Sequence, residues 1–141
     1  MLKFKAELNK IIAEVMDEYE RQEFIEIAYP SAITEELWSF HEESIVLPKV
    51  KGSLYFIFDN NKDLLYIGKT KEIGLALLNH LKHKTSTKSM SILSEVKKII
   101  CAAEDKRMFI KVIDLRPVEL ASTLKPYLIK EYEPLLCQRL S

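Results

Sequence analysis

Cysteine is scarce: Cys101 and Cys137 are the only two in 141 residues. With no close spacing between them, they exclude a disulfide framework and a cysteine-based zinc site, and both are expected to stay reduced in a cytosol. No stretch approaches the roughly 20 apolar residues of a membrane span, and the N-terminus has an amphipathic pattern where a signal peptide would have an apolar core. These absences predict a soluble protein of the cytoplasm with no membrane partner. Net charge is also absent, since 21 Lys+Arg balance 21 Asp+Glu. That balance excludes a histone-like basic tail and an acidic disordered chain alike. Repeats and low-complexity tracts are missing as well.

What is present is enough for one compact core, with 48% of the residues hydrophobic. The zero net charge conceals a segregation. Residues 1–47 carry 4 basic and 11 acidic side chains, residues 48–101 carry 10 and 4, and residues 102–141 carry 7 and 6, so the segments stand at −7, +6 and +1.

From Leu2 to about Ala28, Phe4, Leu8, Ile11, Ile12, Val15, Met16 and Tyr19 fall at the i, i+3, i+4 spacing of an amphipathic helix whose other face is acidic. Pro30 interrupts it, and Ser31 or Thr34 is placed to cap a second short helix through Trp38. Residues 1–47 thus read as an acidic helical extension that needs a surface to bury its stripe against. Pro48 and Gly52 mark its boundary with a domain over residues 48–141.

In that domain Ser53–Phe58 and Leu64–Ile67 are rich in β-formers, and Asp59-Asn60-Asn61-Lys62-Asp63 between them has the composition of a tight turn, which predicts a β-hairpin. Lys71–Lys82 and Ser89–Ala103 each place apolar residues on one helical face. Met108–Ile113 reads as a third strand. Pro117 is suited to open a last helix running to Tyr132, which Pro126 should break or restart. The predicted class is α+β, a small three-stranded antiparallel sheet flanked by helices, with the N-terminal helical extension.

Gly68, Lys69 and Thr70 follow the second strand of the hairpin, where a glycine permits close approach and the following amides are suited to an anion. Tyr55-Phe56-Ile57 on one strand, Tyr66-Ile67-Gly68-Lys69-Thr70 on the next and a helix carrying His80 resemble the GIY-YIG nuclease superfamily over roughly residues 52–137. The resemblance implies catalytic positions at Tyr55, Tyr66 and His80 around a scissile phosphate. It also implies a helical arginine and a glutamate that holds one divalent ion. The chemistry requires such groups, because water must be activated for attack and cations must neutralise the charge that develops on the phosphoryl oxygens.

The chain departs from that pattern at two of these positions. The arginine falls on Ala76, and no arginine lies between Arg21 and Arg107; the metal-binding glutamate falls on Lys125, and Cys137 stands where an asparagine is frequent. A charged lysine cannot ligate a metal. The resemblance therefore implies a degenerate nuclease scaffold with no metal site of its own and no cofactor.

Gly68, Lys69, Thr70, Lys71, Lys82 and Lys84 then form a candidate nucleic-acid-binding face, able to contact DNA or RNA phosphates without reading bases. The first reading is a nucleic-acid-associated protein whose phosphodiesterase activity is lost or strongly weakened. A second is a divergent endonuclease that uses Mg²⁺ or Mn²⁺ through Glu131 or Glu133. A third is a non-catalytic module that meets a protein partner or a second copy of itself through residues 1–47.

Overall fold

The computed structural model describes residues 2–29, 34, 52–69, 98–104, 106–116 and 119–136. Helix α1 spans Leu2–Arg21, and strand β1 follows at Ile25–Ala28. Strands β2 (Leu54–Phe58), β3 (Leu64–Lys69) and β4 (Arg107–Ile113) precede helix α2 (Glu119–Tyr132). Residues 98–102 are also helical. The strands make one antiparallel sheet in the order β1-β4-β2-β3, so the class is α+β.

The three strands expected from sequence are present, but the sheet has a fourth. Residues 25–28 do not prolong the first helix. Ile25 and Ile27 turn to one face of the sheet and Glu26 and Ala28 alternate with them, as β1 pairs with β4 from Ile25↔Ile110 to Ala28↔Arg107. The helix stops at Arg21 without a glycine cap. Its last turn is closed by the Gln22 amide donating to the Glu18 carbonyl at 2.9 Å. Lys111 of β4 adds to this, with Nζ donating to the Tyr19 carbonyl at 2.9 Å. A cation at that end also suits the helix dipole.

The hairpin forms where its composition placed it. Asp59 Oδ1 accepts from the amides of Asn61 and Asp63, both at 2.9 Å, and Lys62 takes the left-handed conformation at φ 66°. In β3, Leu65 is an extra residue between the Phe58↔Leu64 and Ile57↔Tyr66 pairs. The other end of β2 is joined to the end of β4 through buried Ser53. Its hydroxyl donates to the Leu115 carbonyl and accepts from the Leu115 amide, each at 3.0 Å.

Both faces of the sheet are covered, which explains why β2 and most of β4 are buried along their length. On one face Leu54, Phe56, Phe58, Ile67, Phe109 and Ile113 pack against Leu8 and Val15 of α1 and Ala121, Leu124 and Leu128 of α2. The stripe on α1 therefore finds its partner in the chain's own sheet. On the other face Ile27, Tyr55, Ile57, Tyr66, Met108 and Ile110 pack against Ile100 and Leu136.

Pro126 does not break the last helix; α2 continues through it. The amide that proline lacks would have bonded the carbonyl of Ser122. Both residues lie on the exposed side of α2, where water can take over that role. The helix ends at Tyr132, and Glu133 follows with φ 49° and its amide donating to the Ile129 carbonyl at 2.8 Å, ahead of Pro134. The helix expected through Trp38 and that over Lys71–Lys82 lie outside the described residues, as does the expected helix over Ser89–Ala103 before residue 98. Among the described residues no helix is long and apolar enough to cross a membrane.

Candidate functional site

Strand alternation puts Tyr55 and Tyr66 on the same face. Tyr55 is opposite Gly68 and Tyr66 is opposite Ile57, so the tyrosines are diagonal neighbours across the hairpin. Their ring centroids are 5.9 Å apart at 45°, and both side chains are buried. Gly68 is the residue that makes this fit, because a Cβ there would stand 2.0 Å from Tyr55 Cζ. The phenol end of the tyrosine ring thus occupies the space above the glycine of the neighbouring strand.

The second element at the site is α2, which runs beside β3 at the edge of the sheet. Two of its residues reach β3 from opposite sides. Lys125 Nζ lies 5.5 Å from the centroid of the Tyr66 ring, a cation over an aromatic face. Ser122 Oγ accepts a 2.7 Å hydrogen bond from Lys69 Nζ. Beyond the helix, the amides of Leu135 and Leu136 donate to the carbonyls of Leu64 and Leu65 at 3.2 and 2.8 Å. These bonds occupy part of the outer edge of β3.

The structure therefore brings together Tyr55, Tyr66, Gly68, Lys69 and Lys125 along β2, β3 and α2. Thr70, Lys71, Ala76, His80, Lys82, Lys84 and Cys137 lie outside the described residues. Ser122 was not singled out in the sequence. Nothing in a helical serine signals that a strand lysine 53 positions earlier will bond to it.

The divalent ion implied by the resemblance does not fit the residues beside Tyr66. The position assigned to its glutamate is held by Lys125, which brings an ammonium against the ring. Glu131 is six residues further along α2, about 9 Å by the helical rise, and exposed; Glu133 is past the end of the helix. Among the described residues no group of three or more His, Cys, Asp and Glu is placed to hold a metal ion.

A separate cluster of cations and rings sits at the hairpin-turn end of the sheet. Lys111 is buried on β4 with Nζ 4.6 Å from the ring centroids of both Tyr19 and Phe24, and burial lowers its pKa while Glu20 opposes that shift. Lys62 Nζ lies 5.1 Å from Phe24 and 5.2 Å from Phe109. Arg107 is bonded to Glu26 across the β1–β4 pair at 2.9 Å. These contacts close the core where α1 gives way to β1. Close by, Tyr19 stacks on Tyr132 at 4.4 Å, and the buried Tyr132 hydroxyl has no hydrogen-bond partner among the described residues. Burial, then Tyr19, Glu20 and Glu131, push its pKa up to about 12.

No family model, curated protein or solved structure matches this chain.

Proposed function

We propose that this chain is a nucleic-acid-associated protein with a GIY-YIG-like site that has lost, or retains only weakly, the cleavage of phosphodiesters. The observation that carries the reading is the arrangement of Tyr55 and Tyr66, side by side on one sheet face with Gly68 against the Tyr55 ring and a lysine beside Tyr66. Lys69 adds a second cation at the same edge, and the excess of basic residues over 48–101 supplies a sequence-independent attraction for a polyanion. Cleavage requires more than attraction. Removal of one transition-state donor typically costs roughly 100- to 1000-fold in rate, and the chain has alanine and lysine where the resemblance calls for arginine and glutamate.

The test is to mix the protein with labelled single- and double-stranded DNA and RNA, with Mg²⁺, Mn²⁺ or chelator, across a salt series. Salt-sensitive binding without cleavage is the expected outcome. Metal-dependent cleavage that is lost in Tyr66→Phe would establish an active nuclease instead. Absence of both binding and cleavage would overturn the reading and favour a protein partner at residues 1–47.

A further inference from the structure

We infer that the outer edge of β1 is a self-association surface, on which a second copy of this chain adds its own β1 antiparallel about a two-fold axis at Ile27. The inference stands apart from the nucleic-acid reading above and uses none of its residues.

The sheet ends in β1 on one side and β3 on the other, and the chain treats these edges differently. The outer edge of β3 receives the amides of Leu135 and Leu136. On the β1 side, the Tyr29 amide donates to the Lys106 carbonyl, and by strand alternation Ile27 and Ile25 also turn their amides and carbonyls to β4. The amides and carbonyls of Glu26 and Ala28 therefore point away from the sheet. Both residues are exposed, and among the described residues nothing bonds to these outward groups.

An antiparallel copy of the same strand satisfies these groups best in one register. With the two-fold axis at Ile27, Glu26 faces the partner's Ala28 and Ala28 faces the partner's Glu26, so each outward amide meets a carbonyl. An axis at Glu26 sets one glutamate directly against the other, which is destabilising. An axis at Ala28 sets Glu26 against the partner's Pro30, which has no amide to give.

Charge favours the same register and a second copy as the occupant. Glu26 is bonded to Arg107 of its own chain at 2.9 Å, and Arg107 stands opposite Ala28 across the β1–β4 pair. In the dimer the partner's Arg107 lies two strand spacings from Glu26, about 10 Å between backbones, with only the methyl group of the partner's Ala28 intervening. Each glutamate is then flanked by two arginines. A charge at a sheet edge ordinarily guards against pairing, and here the two-fold axis turns it into a contact. A short strand buries little surface, so the dimer is weak and depends on concentration.

The experiment is analytical ultracentrifugation of the full chain over a concentration series up to about 1 mM, where even a small interface is populated. The wild type should shift from monomer to dimer. Ala28→Pro removes an amide that the monomer does not use, at a place where an edge strand tolerates proline. By symmetry the dimer loses a bond from each chain, and dimerisation should weaken by roughly 10- to 100-fold. Ala28→Glu opposes glutamates across the axis and should also weaken it, while its own Arg107 keeps the monomer folded. Thermal melting of each variant separates loss of the dimer from unfolding. Register is read by oxidising an equal mixture of Glu26→Cys and Ala28→Cys proteins and mapping the disulfides by mass spectrometry. The bonded pair has Cα atoms about 5.5 Å apart, within disulfide range, so the mixed 26–28 link should dominate.

A wild type that stays monomeric through the whole series would overturn the inference. So would a dimer that folded Ala28→Glu leaves intact, since another surface would then hold it, or links that join only like positions, since the axis would not lie at Ile27. None of these results touches the nucleic-acid reading, which is decided by the binding and cleavage assay.

Discussion

The ring of Tyr55 occupies the space that a side chain at position 68 would claim. A Cβ on Gly68 would lie 2.0 Å from Tyr55 Cζ and 2.2 Å from its hydroxyl oxygen. The two residues face one another across β2 and β3, so the glycine is the floor on which the tyrosine rests. Gly68→Ala should destabilise the fold by about 1–3 kcal/mol, the usual cost of overpacking. In a Tyr55→Ala background the same substitution should cost far less, because the obstruction has gone. Denaturant titration of the two single variants and the double variant measures this coupling.

Lys111 is the second position where one side chain serves several elements. It closes the end of α1 through the Tyr19 carbonyl and fills the space between the rings of Tyr19 and Phe24. Lys111→Ala should cost about 2 kcal/mol, combining a lost hydrogen bond with lost packing of the aliphatic stem. Hydrogen exchange should show the loss first in the last turn of α1.

Tyr132→Phe should have the opposite effect. The hydroxyl is buried without a partner among the described residues, a loss that phenylalanine avoids at almost the same shape. The variant should be more stable than the parent by about 1 kcal/mol. A fall in the midpoint of thermal unfolding would contradict this assignment.

Alkaline pH should weaken the fold. Tyr132 has an ordinary value of 10.0, and in the folded chain it is pushed up to about 12, so the unfolded chain releases this proton first. Stability is full below pH 10 and declines as pH rises through that interval. Burial raises Tyr19 and Tyr29 in the same direction. Lys111 acts in the opposite sense, because the folded chain sheds its proton before the unfolded chain does, and this restores a part of the loss up to its ordinary value of 10.5. Three raised tyrosines against one lowered lysine give a net decline. Tyr132→Phe should flatten it, as urea titrations from neutral pH to about pH 12 would show.

Three of the four strands were legible where local pattern and tertiary burial agreed, whereas their order in the sheet was not. The run from Leu54 to Phe58, the turn after it and the run from Met108 to Ile113 satisfy strand propensity and are buried besides. The first strand was hidden by its shortness. Ile25, Ile27 and Tyr29 do alternate with Glu26 and Ala28, but four residues beside a long helical stripe leave the period ambiguous. Pro126 misled for a different reason, since the cost of an interior proline depends on whether the freed carbonyl is wet, and a sequence does not show which side of a helix is outside.

The candidate site was legible only in part. Tyr55, Tyr66, Gly68 and Lys69 are close in sequence, so hairpin pairing alone brings them together. The approach of Lys125 to Tyr66 and of Ser122 to Lys69 depends on how α2 lies along the sheet edge. Buried Lys111 gave no warning in a strand of apolar residues, because the carbonyl that accepts its hydrogen bond is 92 positions away.

The order β1-β4-β2-β3 places a strand from late in the chain between two that precede it. A ribosome delivers β1, β2 and β3 first, and the hairpin of β2 and β3 can close at once. Its inner edge and the whole of β1 must then wait for residues 107–113 to emerge. Until they do, the nascent chain presents open strand edges, the condition in which wrong pairing with another chain is easiest. The central position of β4 makes its arrival the committing event of folding. A chain stopped before Arg107 should therefore aggregate rather than persist as a smaller version of the same domain.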